Sequence, residues 1–250
     1  MLKIFIIWLM RTKLYKWLLV KQIPFIRFSL NATSMRGDKY HKGYSLLQKG
    51  MIIGSIDTRK LTGILIPKVT GGVLSHAALC ISKRDPIEPN KEYYNIAPRP
   101  GHGQGLEIVE MTHLDFTYSD FFDLCHESER IVIMDCLDWD KEYKNKVIDK
   151  SLELRLAEYD GSFEMESNNF LYCSELIYKA DHRAGNGSAR LKVNLEDLMG
   201  LGRPYLSPDG LLCGDNIRVV WDSEGQLTGM LGSQVREIIF KEKSNDSKLG

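Results

Sequence analysis

Residues 170–178 read Phe170-Leu171-Tyr172-Cys173-Ser174-Glu175-Leu176-Ile177-Tyr178, an apolar approach that carries a thiol to the point where helical spacing begins. Leu176, Ile177 and Ala180 recur about one turn apart and Gly185 supplies a stop, so the pattern predicts a helix opening at Cys173. The N-terminus of a helix carries roughly half a positive charge, which favours thiolate over thiol, and the thiolate is the nucleophile. Its unpaired backbone N–H groups also suit an oxyanion. Position alone leaves a buried structural cysteine as the other reading.

Working outward, Val73-Leu74-Ser75-His76-Ala77-Ala78-Leu79-Cys80-Ile81 sets a polar pair into a strand that otherwise belongs in a core. Burying an imidazole is unfavourable unless it has partners, which a backbone carbonyl or a catalytic neighbour would supply. In Gly105-Leu106-Glu107-Ile108-Val109-Glu110-Met111, alternation puts Leu106, Ile108 and Glu110 on one inward face and Glu107 on the opposite, solvated one. A carboxylate on the core face needs a donor, and a histidine on a neighbouring strand is the natural one. Cys173, His76 and Glu110 then make a set of nucleophile, base and orienter.

These residues resemble the permuted papain-like amidases and peptidases called YiiX-like, within the NlpC-type cysteine hydrolases. In that family a Ser-His-apolar strand, a later apolar strand ending in Glu, and a Tyr-Cys-Ser-Glu-Leu-apolar-Tyr helix start follow in this order. Here they are Ser75-His76, Ile108-Val109-Glu110 and Tyr172 to Tyr178, with Tyr159-Asp160, Phe163 and Ser207-Pro208-Asp209 as further matches. The resemblance spans residues 43–221, and it departs from the family at Gly50-Met51, where relatives carry Gly-Asp. It implies an α+β, circularly permuted papain-like fold with a sheet packed against helices, in which histidine precedes cysteine. It also implies a cysteine hydrolase or acyltransferase using Cys173, His76 and Glu110. The substrate would be an amide, such as a cell-wall-type peptide with D-amino acids, or a lipid ester or amide, since lecithin retinol acyltransferase-like proteins share the permuted architecture. A non-catalytic binding module that keeps the fold is the alternative. Tyr159 is a candidate for shaping the oxyanion site or a core tyrosine with a satisfied hydroxyl.

The remaining chain frames this domain. Apolar, β-branched-rich runs at residues 51–56, 73–81, 106–111, 131–136 and 217–221 predict five strands, and Val147, Ile148, Leu152, Leu156 and Tyr159 predict an amphipathic helix over residues 140–159. Gly101 to Gly105, Gly-His-Gly-Gln-Gly, reads as a hairpin tip and not as a phosphate loop, because a strand follows it. With Lys+Arg 33 against Asp+Glu 33 the net charge is zero, so nothing points to nucleic acid. The distribution is uneven: Lys3, Arg11, Lys13, Lys16, Lys21 and Arg27 precede the first acid, Asp38. Residues 1–30 are apolar between these charges, too interrupted to span a bilayer, and fit either an interfacial anchor on a membrane surface or a helix packed on the domain. Residues 31–42 read as linker, which makes 1–42 a leader, 43–240 the domain and 241–250 a frayed polar tail.

Five cysteines with no Cys-x-x-Cys pair fit neither a disulfide framework nor a zinc ribbon. Reduced thiols favour a cytoplasmic or peripheral-membrane location over a secreted one. His41, His102, His113, His126 and His182 have no metal-ligand spacing with the cysteines, so neither a metal nor another cofactor is expected.

Overall fold

The computed structural model describes residues 37–57, 72–83, 107–112, 115–160, 163, 165, 169–197 and 204–246, with side chains as far as Ile239. The five apolar runs become strands of one antiparallel sheet: β1 (Ile52–Ile56), β2 (His76–Cys80), β3 (Ile108–Thr112), β5 (Arg130–Cys136) and β10 (Ile217–Asp222). A sixth strand, β4 (Asp115–Ser119), pairs with β3 at one edge. Its residues are exposed or half-buried, and only Phe116 and Tyr118 are apolar, so no apolar run marks it in the sequence. Strand order is β10-β5-β1-β2-β3-β4.

Six helices are present among the described residues: α1 (Gly37–Leu46), α2 (Phe121–Glu127), α3 (Lys141–Glu153), α4 (Cys173–Ala184), α5 (Pro208–Leu212) and α6 (Gly232–Asp246). They cover both faces of the sheet, which is why the central strands read as continuous apolar runs. On one face Leu79, Val109 and Val132 pack with Val147 of α3, Ile177 and Ala180 of α4, Leu211 of α5 and Val235 of α6. On the other, Ile53, Ala78, Ile108 and Ile133 pack with Leu47, the residue after α1, and with Phe121 and Leu124 of α2. Each buried Val, Leu, Ile or Phe among these contributes about 1.5–3 kcal/mol of transfer free energy. A register shift in β10 between Val219 and Trp221 puts these two residues in opposite cores, so that Trp221 turns toward α1.

Three sequence boundaries change. Residues 37–42, expected as linker, form the first turns of α1, because Tyr40 and Tyr44 stack on each other and against Phe121 and so give this polar segment an apolar face to bury. The Asp140 helix begins as expected, with the Asp140 carboxylate accepting from the Tyr143 N–H, but it ends at Glu153. Glu158 and Tyr159 instead form β6 (Glu158–Tyr159), paired in parallel with β7 (Phe170–Leu171), and this ladder draws the chain out of the helix. Residues 241–246, expected as frayed tail, continue α6. A last two-stranded ladder joins β8 (Glu196–Asp197) and β9 (Pro204–Tyr205). The basic leader, residues 1–30, and the Gly101 to Gly105 tip lie outside the described residues, and no helix among the described residues is long and apolar enough to cross a membrane.

Candidate active site

The β2–β3 ladder runs only from Cys80↔Ile108 to Ala78↔Glu110. His76 therefore lies just past the last paired residue, on the face shared by Ala78, and its ring is free to reach Glu110. His76 Nε2 sits 2.6 Å from Glu110 Oε2. The second oxygen, Oε1, accepts from the Ser119 hydroxyl at 2.7 Å, so β4 holds the carboxylate from the other side. Glu110 is buried, and both its oxygens have partners.

Cys173 is the first residue of α4, as its sequence predicts, and is 5% exposed. With Nε2 taken by Glu110, Nδ1 is the ring nitrogen left for Cys173, to which the His76 side chain is also hydrogen-bonded. The backbone N–H groups of Ala77 and Ser174 bond to Cys173 as well. The imidazole thus spans the thiol and the carboxylate.

The electrostatics follow from these contacts. Burial by itself would lower the His76 pKa, but its hydrogen bonds to Cys173 and Glu110 outweigh burial and bring it up to about 10. Burial would raise Cys173, but the hydrogen bond and charge of His76, with the two backbone N–H groups, hold it below its usual value. Both shifts favour a thiolate–imidazolium pair. Three other buried thiols behave oppositely: burial pushes Cys80 and Cys136 up to about 12 and Cys125 higher still.

Glu107 departs from the solvated position expected for it. It is buried, its Oε1 accepts from the Tyr44 hydroxyl at 2.7 Å, and its Oε2 takes the Phe121 N–H at 3.4 Å. The cause is local: Glu107 precedes β3, and its carbonyl accepts from both Ile81 and Ser82, so the strict alternation of the strand does not extend to it. Tyr159 is joined to the site through its cluster with Tyr172, the residue before Cys173. It is half-buried on β6, its ring edge-on to Phe163 at 6.5 Å, in an aromatic cluster with Tyr172 and Tyr205.

Three contributors had no usable signal in the sequence. Ser119 lies on a strand without an apolar run, and the Ala77 N–H is invisible to side-chain patterns. Tyr205 is buried within electrostatic reach of Cys173 and Tyr159, and only the fold brings it there. Among the described residues no group of three or more His, Cys, Asp or Glu side chains is disposed to hold a metal ion.

No protein-family model and no curated protein matches this chain. Among solved structures it is similar to the metalloprotein yiiX from Escherichia coli O157:H7, assigned to DUF1105, with a TM-score of 0.51 and 16% identity over 70% of this chain and 96% of that one. At this identity the likeness carries over no chemistry, and what it establishes is that this chain has a yiiX-like α+β fold.

Proposed function

We propose that the protein is a cysteine hydrolase or acyltransferase of circularly permuted papain-like architecture, with Cys173 as nucleophile, His76 as acid and base, and Glu110 as orienter. The observation that carries this reading is the His76 ring, hydrogen-bonded on one side to Glu110 and on the other to a cysteine at a helix N-terminus. The Cys173 thiolate attacks the carbonyl carbon of an amide or ester, and the electron pair of the carbonyl moves to oxygen. Backbone N–H groups in the first turn of α4 are suited to that oxyanion. As the tetrahedral centre collapses, the imidazolium gives its proton to the departing amine or alcohol, leaving a thioester on Cys173. His76 then takes a proton from water or another acceptor, whose attack on the thioester releases the acyl group and restores the thiolate. Glu110 keeps the ring oriented and stabilises its positive charge throughout. Tyr159 is placed in this reading at the rim, where it shapes the approach to the oxyanion.

The yiiX description brings a metal into the comparison, but the donors here do not suit one. His76 spends its nitrogens on Glu110 and Cys173, and no third ligand converges on them among the described residues. No step runs through a metal.

The test is chemical. Iodoacetamide at pH 6, followed by peptide mass spectrometry, should alkylate Cys173 ahead of the other four cysteines, and His76→Ala should slow that reaction by at least about tenfold. A binding module that retained the fold would show five comparably slow thiols, or a Cys173 rate indifferent to His76→Ala, and either result would sink the enzyme reading.

A further inference from the structure

Cys173 and His76 sit on separate elements, and one segment bonds close neighbours of each in sequence. The two residues flanking Cys173 bond the two peptide groups of Leu206: the Leu206 N–H donates to the Tyr172 hydroxyl at 3.0 Å, and the Ser174 hydroxyl donates to the Leu206 carbonyl at 2.6 Å. Ser207 then caps α5 by accepting from the Gly210 N–H. Asp209, two residues after Ser207, turns its carboxylate to the segment just before β2. Oδ1 accepts from the Val73 N–H at 2.8 Å and Oδ2 from the Leu74 N–H at 3.4 Å. Asp209 is 5% exposed, and the chain at Gly72 is pressed so close that a Cβ there would lie 1.7 Å from Oδ2. These contacts bridge 136 residues of sequence between Val73 and Asp209.

Given the proposed thiolate–imidazolium chemistry, on which this rests, we infer that residues 206–209 form a strap that sets the separation of nucleophile and base, with Asp209 as the positioning residue that anchors the His76 strand. The strap is fastened to the cysteine helix at Leu206 and to the histidine strand at Asp209. Val73 and Leu74 are three and two residues from His76, too near for a displacement to dissipate before the ring. The Ala77 N–H that bonds Cys173 lies just beyond. Asp209 touches none of the reacting atoms. It acts by holding the backbone that carries them.

Two variants loosen the strap from opposite sides. Asp209→Asn replaces one acceptor oxygen with an NH2 group that faces a backbone N–H, and Gly72→Ala puts a methyl group where the carboxylate now lies. Each full-length variant is compared with the unaltered chain and with His76→Ala. Thermal unfolding identifies the variants that fold, and the rate of Cys173 alkylation by iodoacetamide is followed from pH 5 to pH 10. The inference expects folded Asp209→Asn and Gly72→Ala to have profiles displaced upward in pH, toward that of His76→Ala, with the rate at pH 6 down about tenfold for each unit of displacement. If a variant folds and its profile superimposes on that of the unaltered chain, while His76→Ala remains displaced, the strap is overturned and the chemistry stands. If the unaltered chain and His76→Ala have the same profile, the thiolate–imidazolium reading fails, and the strap with it. Should Asp209→Asn not fold, Gly72→Ala, which removes no polar partner, decides the matter.

Discussion

At Glu110 the two carboxylate oxygens do different work, one facing the His76 ring and the other held by Ser119. Changing Glu110 to Gln keeps the shape but gives up the negative charge that stabilises the imidazolium, so turnover of an acyl substrate should fall by about 100-fold or more. Glu107→Gln should leave turnover intact and cost about 1 kcal/mol of stability through its bond with Tyr44. Equal losses of turnover in the two variants would refute the assignment. The pH dependence has two limbs. His76 is raised, so its contribution to stability is complete below its unfolded pKa near 6.5 and is lost as pH climbs through about 10. Cys173 is lowered, so its contribution is present above its usual value and is lost as pH falls through the depressed one. Cys173 alkylation should therefore be flat between the depressed cysteine value and about 10, and Glu110→Gln should bring the upper limit down. An upper limit unchanged in Glu110→Gln, read from the same rate-against-pH curve, would contradict the role of the carboxylate. His76 and Glu110 were legible because each puts a polar group where an apolar pattern calls for another kind. Ser119 and the role of Asp209, which only the resemblance marked, were not, because their partners are fixed by strand register and chain return, which local spacing does not encode.

Among the elements, the strands and the start of α4 could be read from composition and period, since a sheet covered on both faces must be apolar throughout. The edge strand β4 and the helix α1 could not, because each earns its structure from a neighbour. Gly43 of α1 lies against Trp221, so close that a Cβ would come 2.7 Å from the indole. The register shift in β10 is what turns that ring toward the helix. Gly43→Val should therefore push α1 from the sheet and lower stability by about 1–3 kcal/mol, measured by urea unfolding. The alkylation profile of Cys173 should not change, because Trp221 and Phe121, against which α1 packs, belong to a core that includes none of Cys173, His76 and Glu110. A shifted profile with unchanged stability would mean that α1 belongs to the site and not only to the scaffold.

For the whole molecule, the uneven charge distribution bears on where the domain works. We propose that the basic leader meets an anionic membrane, since each lysine or arginine near such a surface contributes about 1 kcal/mol. Deleting residues 1–30 should abolish sedimentation with phosphatidylserine vesicles while the domain still unfolds cooperatively, and binding by the intact chain should weaken with salt. Equal sedimentation of the truncated and intact chains would end the anchor proposal. Such a nucleophile must also be kept quiet until it is in place, and the order of the chain bears on this. A ribosome makes His76 first, then Glu110, then Cys173, and the segment that ties Cys173 and His76 together comes last, at residues 206–209. If the strap sets the pair as proposed, a nascent chain that displays Cys173 but has not yet extruded Asp209 would carry an ordinary thiol, and reactivity would be timed by synthesis.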